Sequence, residues 1–320
     1  MAFIFAPSGA DNTATYDVES SSLIQYHDEI VDNIFEDLVL LDYLKNSDSL
    51  TYQNGGTSIG VSLEYAKNTT VQAMTYYTQL NTTPQKISQT GEYQWGMYGG
   101  TETISHKEKR QNAGPNIFNL MEAKARSLAK SMADEINTDL YASSAVSNGI
   151  GTLVTNVDAT STIGNVNSTT QAFWQANVTA SGSFAGQGPN DLETNWAACS
   201  SSNMKNTPNI LITDQTTWGY YNLSLQPQIR YTASDQGNAS FQNLKYKTAD
   251  FVWDTACNSG VIYLINTNAM KLYIDSGTNF IMFEPERPTN QIAESSAMAV
   301  MLQLVITNRR RLGKLTGVTA

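Results

Sequence analysis

The apolar residues Ile117, Met121, Ala125, Leu128, Met132, Ile136 and Leu140 recur at steps of three or four along one unbroken stretch. That spacing predicts a single amphipathic helix. Asn112-Ala113-Gly114 supplies a turn before it, and Pro115 suits a first helical position, where a missing N–H leaves no bond unmade. At 1.5 Å per residue, a helix from Pro115 to Tyr141 spans about 40 Å, longer than most helices of compact domains. It needs something extended to lie against. Leu128 and Met132 are expected to face a sheet, with Glu122 and Arg126 as an exposed i, i+4 pair.

The stretch before this helix has a different period. Ile59, Val61, Leu63 and Tyr65 alternate outbound and Tyr93, Trp95 and Met97 alternate on return, which predicts the two arms of a long β-hairpin. Between them, Ala66 to Gly91 is rich in Thr, Asn, Gln and Tyr, carries only Lys67 and Lys86 as charges, and has too few large aliphatics for a core of its own. Excursions of this length are functional or disordered. We read this one, with Tyr76 and Tyr77 in its middle, as an arm that orders on a neighbouring subunit.

The rest of the chain reads as α+β. Leu23, Ile30, Ile34, Leu41 and Leu44 form one apolar stripe on a helical N-terminal segment. After Gly149, strands are expected at Asn209 to Thr213, Phe251 to Trp253, Val261 to Asn266, Phe280 to Phe283 and Met298 to Thr307, with a helix from Asp214 to Leu225. At 320 residues with 41% hydrophobic content, the chain can form one elaborated domain or two coupled ones.

Several function classes are disfavoured. No apolar run reaches the roughly 18 residues of a membrane span, and Met1 to Ala6 lacks a signal peptide's basic start. A net charge of −10 argues against tight nucleic-acid binding, which depends on neutralising phosphates. Gly56-Thr57-Ser58-Ile59-Gly60 fits the nucleophile-elbow pattern, but an alternating strand follows it and His106 is the only later histidine. His27 is read as capping or packing. Gly313-Lys314-Leu315 lacks the rest of a phosphate loop. Asp and Glu form no metal-ligand cluster, Cys199 and Cys257 have no metal spacing and are expected reduced and packed, and sequons such as Asn68-Thr69-Thr70 carry no weight without secretion. No cofactor is expected. Positive charge concentrates at His106-Lys107-Glu108-Lys109-Arg110 and at Arg309-Arg310-Arg311, which are either solvated faces or partners for acidic residues such as Glu36, Glu284 or Glu286 on neighbours.

From about Val31 to its C-terminus the chain resembles the major capsid proteins of tailed bacteriophages, which share the Hong Kong 97-like fold. Several segments carry the resemblance, in the family's order. Asp32-Asn33-Ile34-Phe35 and Leu41-Asp42-Tyr43-Leu44-Lys45 resemble its N-terminal arm, and Gly55-Gly56-Thr57-Ser58-Ile59 with Leu63-Glu64-Tyr65 the start of its extended loop. Asn112-Ala113-Gly114 and the long helix resemble its spine helix. Gly149-Ile150-Gly151-Thr152-Leu153-Val154, Thr162-Ile163-Gly164-Asn165-Val166, Trp174-Gln175-Ala176-Asn177, Pro208 to Thr213, Phe241 to Tyr246 and Asn308 to Gly317 complete the pattern. It departs at Gly164-Asn165, where paired glycines are expected.

The resemblance implies an N-terminal arm at 1–46, an extended β-hairpin loop at 47–110, the spine helix of a peripheral domain at 111–148, an axial domain at 149–275 and a return to the peripheral domain at 276–320. It implies a structural, non-enzymatic subunit that assembles into hexamers and pentamers of an icosahedral shell. That shell is a virion component, assembled in the bacterial cytoplasm, that encloses double-stranded DNA without sequence-specific contact. Partners would be a portal, a decoration protein and a scaffolding protein, separate because little precedes the hairpin. Lys67, Tyr76, Tyr77, Lys86, Lys107, Lys109, Arg110, Arg309, Arg310 and Arg311 are the expected interface residues. An encapsulin-type compartment, with the same fold around a protein cargo, is the alternative.

Overall fold

The computed structural model describes residues 39–111, 120–142, 148–155, 162–200, 206–225 and 244–320, with backbone alone at 120–122. The apolar stripe's Leu23, Ile30 and Ile34, His27, Glu36 and the Asn112 to Ile117 helix start lie outside the described residues. In chain order the elements begin with α1 (Val39–Asn46), β1 (Leu50–Gln53), β2 (Ser58–Glu64), β3 (Ser88–Gln94), β4 (Gly96–Ser105), α2 (His106–Gln111) and α3 (Leu120–Tyr141). There follow α4 (Ile150–Leu153), β5 (Thr162–Ile163), β6 (Val166–Asn167), a 3-10 turn (Ala172–Trp174), β7 (Asn177–Ala180), α5 (Gly188–Cys199), β8 (Ile210–Thr213) and α6 (Gln215–Leu225). The chain closes with β9 (Lys245–Tyr246), β10 (Ala249–Trp253), β11 (Ile262–Ile265), β12 (Met270–Asp275), β13 (Ile281–Met282), β14 (Ala293–Ile306) and β15 (Gly313–Thr316). The α+β expectation holds.

The chain divides into two compact units. The first holds Gly100–Ser131 and Met282–Met298, and the second Glu36–Gly99, Met132–Ile281 and Ala299–Ala320. The main core of the second unit is a six-stranded sheet in the order β7-β15-β11-β8-β10-β9. Its central strands Ile210–Thr213 and Ile262–Ile265 are buried at every position. That is why they read as unbroken apolar runs rather than alternations. Leu192, Trp196 and Cys199 of α5 and Tyr221 of α6 pack with Leu211, Phe251, Ile262, Leu264 and Leu315 of the sheet. Helix α6 begins where expected, with the Asp214 carboxylate accepting the Thr217 N–H at 3.4 Å as an N-cap. Strands β8, β10 and β11 fall within a residue or two of their predicted spans.

In the same unit a second sheet forms around β12, which lies parallel to β1 (Leu50↔Leu272 through Gln53↔Asp275) and antiparallel to the end of β14 (Met270↔Ile306). Neither β1 nor β12 was anticipated. The final turns of α3 bury Met132, Ile136 and Leu140 at i, i+4, i+8 spacing. They are tied down by Asp254, a buried carboxylate that accepts the Tyr141 hydroxyl at 2.9 Å, Asn137 Nδ2 at 3.3 Å and the Ala256 N–H at 2.9 Å.

In the first unit, Ser105-His106-Lys107-Glu108 forms a capping box, with the Ser105 N–H donating to Glu108 Oε2 at 3.0 Å and the Lys107 N–H to Ser105 Oγ at 3.3 Å. So the basic run at the predicted hairpin base is a helix, α2. Its Lys109 pairs with Glu294 at 2.7 Å, and the His106 N–H donates to the Ile292 carbonyl. Leu128 is half-buried and Met132, one turn on, is 6% exposed, so burial deepens toward the C-terminal end of α3. Arg126 is exposed as anticipated, while the Glu122 side chain lies outside the described residues.

Candidate docking loop and its anchor

The predicted hairpin exists, and its strands pair from Ser58↔Gln94 through Ile59↔Tyr93 to Glu64↔Ser88. Its return arm is shorter than the sequence suggested. Tyr93 lies in β3, but Met97 belongs to β4, which leaves the hairpin and pairs with β14. The arms are also not bare. Ile59, Leu63 and Tyr93 are at most 3% exposed, so one face of the two-stranded ribbon is buried in the unit that carries it while Gly60, Ser62, Glu64 and Thr90 face solvent. The alternation legible in the sequence is this two-sided burial.

Three fastenings hold the ribbon. At its start, Gly55 and Gly56 take left-handed conformations (φ 61° and 106°), and the Gly55 N–H donates to Asp275 Oδ1 at 2.8 Å. That bond, with those from Thr278 and Gly277, holds the Asp275 carboxyl below the usual carboxylate range. On the return arm, the Tyr93 hydroxyl donates to the Ile306 carbonyl at 3.0 Å, and burial pushes its pKa far up. Beside it the Glu92 N–H donates to the Gly164 carbonyl at 2.9 Å. Gly164 and Asn165 both have positive φ (59° and 58°) and join β5 to β6 in a two-residue turn of the type I′ kind. A Cβ at 164 would stand 3.0 Å from the Tyr93 ring, so another residue there would have to push that ring aside as well as bear a strained positive φ. Asn at 165 satisfies the same backbone, and the departure from paired glycines leaves the turn tight.

The third fastening lies at the far end of β2. The Tyr65 ring stacks on Phe173 with centroids 4.5 Å apart and planes 13° from parallel. Phe173 sits in the 3-10 turn next to Trp174, which is 1% exposed and donates its indole N–H to the Ile163 carbonyl at 2.9 Å. The turn is held from beneath by Arg309. Its guanidinium donates to the carbonyls of Leu153 (3.0 Å), Trp174 (2.7 Å) and Thr155 (3.2 Å) and to the Thr155 hydroxyl (3.2 Å). Arg309 is fully buried, and desolvation lowers its pKa to about 10.

Arg309 therefore corrects the reading of Arg309-Arg310-Arg311 as one surface cluster. A side chain with no exposed area, its donors directed at its own chain, cannot meet an acidic residue on a neighbour. Arg310 is exposed and Arg311 half-buried. Lys107, Lys109 and Arg110 are exposed on α2, with Lys109 already engaged by Glu294. Lys67, Tyr76, Tyr77 and Lys86 lie together on the loop beyond the last hairpin rung, where the Tyr65 N–H meets the Ile87 carbonyl at 3.1 Å.

This loop, 66–86, has internal order without burial. Thr69 and Gln85 exchange two hydrogen bonds across it, Gln72 Nε2 donates to the Gln79 carbonyl at 2.7 Å, and Asn68 and Asn81 each accept from a Thr two residues on. Yet Val71 is 82% exposed, and Tyr76 and Tyr77 are 102% and 97% exposed. Met74 and Leu80 are exposed as well, so the apolar side chains of the loop gather where no part of the described chain covers them.

The elbow-like Gly56 to Gly60 leads straight into β2, no group of three or more His, Cys, Asp or Glu among the described residues could hold a metal ion, and both cysteines are buried thiols. Burial raises the Cys199 thiol to about 12. No described helix is long and apolar enough to cross a membrane. Phe173 and Asp275 were missed as site residues, whereas Gly164-Asn165 was singled out from the sequence as the place where paired glycines are expected.

Neither a protein-family model nor a curated protein sequence matches the chain. Solved structures do. The cyanophage A-1(L) capsid asymmetric unit matches with a TM-score of 0.66 at 14% identity, over 93% of this chain and 97% of that one. The capsid of a native GTA particle matches with a TM-score of 0.63 at 12% identity, over 97% and 100%. The holo-SrpI encapsulin complex from Synechococcus elongatus PCC 7942 matches with a TM-score of 0.59 at 10% identity, over 95% and 96%. At these identities the likeness is one of fold, and over nearly its whole length this chain has the Hong Kong 97-like fold seen in shell-forming proteins.

Proposed function

We propose that this protein is the major capsid protein of a tailed bacteriophage, a structural subunit that builds hexamers and pentamers of an icosahedral shell around double-stranded DNA. The observation that carries the reading is the loop 66–86, internally ordered, clamped at its root, and presenting Tyr76, Tyr77, Val71 and Met74 to no partner among the described residues. Such a surface gains stability by burial on another copy. One patch docking on a different patch of an identical neighbour is a heterologous contact, which closes into rings when the rotation per copy allows. Lys67 and Lys86 flank the apolar tip, and exposed Glu284 and Glu286 offer charges of opposite sign on a neighbouring copy. In this reading 1–46 is the N-terminal arm, 111–148 and 276–320 belong to the peripheral domain, and 149–275 is axial. A net charge of −10 suits a wall that leaves packaged DNA free to move.

The encapsulin-like match favours a second reading, a compartment of the same fold holding a protein cargo. One experiment separates the two. The chain is expressed with and without a candidate scaffold, and the assembly is examined by sedimentation and negative-stain imaging and its contents by nuclease and protease digestion. A closed shell holding nuclease-sensitive DNA when recovered from virions supports the capsid reading, and a shell with only protein inside supports the compartment. A monomer or dimer under every condition would sink both.

A further inference from the structure

We propose that Phe173 is the positioning residue that aims the loop 66–86, and that Arg309 acts through it. The hairpin's arms are fixed by burial of Ile59, Leu63 and Tyr93, but beyond the Tyr65–Ile87 rung the hydrogen bonds of the described loop residues all run within the loop. The direction in which it leaves the body is therefore set at that rung. There the Tyr65 ring lies face to face on Phe173, 4.5 Å away and 13° from parallel. A face-to-face stack defines a plane as well as a distance, so it resists roll of the rung in a way that a methyl-to-methyl contact does not.

Phe173 can serve as a fixed platform because its own backbone is immobilised. Trp174 next to it is buried with its indole bonded to Ile163, and the Trp174 carbonyl takes the shortest of the Arg309 hydrogen bonds, 2.7 Å. The same guanidinium holds the Leu153 and Thr155 carbonyls, so one buried cation ties the segment after α3, the 3-10 turn and the start of the C-terminal strand into a single post. A charge kept in the interior at the cost of its hydration is explained by a geometric task of this kind. The consequence for assembly rests on the shell reading. The effect on the loop does not.

The test uses the full chain with Phe173→Ala, Phe173→Leu and Phe173→Tyr. In the soluble, unassembled subunit, hydrogen–deuterium exchange is followed by mass spectrometry. Phe173→Ala is expected to speed exchange across 65–67 and 86–88 by a factor of about 3–10, the worth of one aromatic stack, while 58–62 and 90–94 keep their wild-type protection. Phe173→Leu, which fills the space without offering a plane, behaves like Ala, and Phe173→Tyr behaves like wild type. Shell yield falls in the first two and recovers in the third. Unchanged exchange in Phe173→Ala, a wild-type result for Phe173→Leu, or wild-type shell yield despite faster exchange would each overturn the proposal. Should the wild-type chain form no shell with any scaffold, the shell reading fails, and the exchange comparison still decides whether Phe173 orders the rung.

Discussion

Replacing Arg309 with Met keeps most of the side chain's bulk and removes every donor, which isolates what the guanidinium does. Three backbone carbonyls, those of Leu153, Trp174 and Thr155, lose their partner in an interior where the arginine itself has no exposed area. Each orphaned buried acceptor costs about 1–3 kcal/mol. Part of that is offset because a buried charge is no longer desolvated, the same cost that pulls the Arg309 pKa down to about 10. The net loss is about 2–5 kcal/mol, which for a chain of this size lowers the melting temperature by roughly 3–7 °C. Arg309→Lys restores the charge but cannot direct separate donors at three carbonyls from two segments, and it should recover less than half of the loss. Urea unfolding of the soluble subunit, followed by tryptophan fluorescence, measures this directly because Trp174 adjoins the site. Unfolding within about 1 kcal/mol of wild type in Arg309→Met would refute the claim that this residue is an internal post.

Asp254→Leu leaves the Tyr141 hydroxyl and the Asn137 amide buried without their acceptor, and should cost about 2–5 kcal/mol in the same assay. Met132→Asp buries an unpaired carboxylate and leaves a cavity, at about 3–5 kcal/mol, whereas Leu128→Asp at the half-buried position should cost clearly less; equal losses would contradict the gradient of burial along α3. Replacing 67–86 by a short Gly/Ser turn should leave circular dichroism and melting of the subunit unchanged while abolishing shells, and normal shell yield would show the loop to be dispensable. Both carboxylate oxygens of Glu102 are buried without a hydrogen-bond partner, and burial raises its pKa despite the nearby Lys124. Its stabilising contribution is complete below the unfolded value of about 4 and is lost as pH rises through the higher folded value, so Glu102→Gln should gain on wild type between acid and neutral pH. A constant difference across that range would argue against it.

By itself the sequence determined the long helix, the hairpin and the strands β8, β10 and β11, because each is written in local periodicity: steps of three and four for α3, alternation for β2, β3 and the half-exposed β10, unbroken apolar runs for β8 and β11, which are covered on both faces. It also located the loop, since a stretch with two charges and few aliphatics cannot bury itself wherever it is placed. The order of its segments was enough to suggest the shell fold, which the structural neighbours support. What it could not determine was which residues do what across large separations. Arg309 sits in a run of three identical side chains and only the tertiary structure tells the buried one from its exposed neighbour, because its acceptors come from residues 135 to 156 positions away. Strands β1 and β12 likewise became partners through a pairing spanning more than half the chain, which no local pattern encodes. The stack of Tyr65 on Phe173 has the same origin: two ordinary aromatics acquire a role only when the burial of Ile59, Leu63 and Tyr93 brings the ribbon onto the turn that Arg309 supports. Local periodicity fixes where a chain can bury itself, and long-range packing fixes which of its chemically identical residues end up carrying the load.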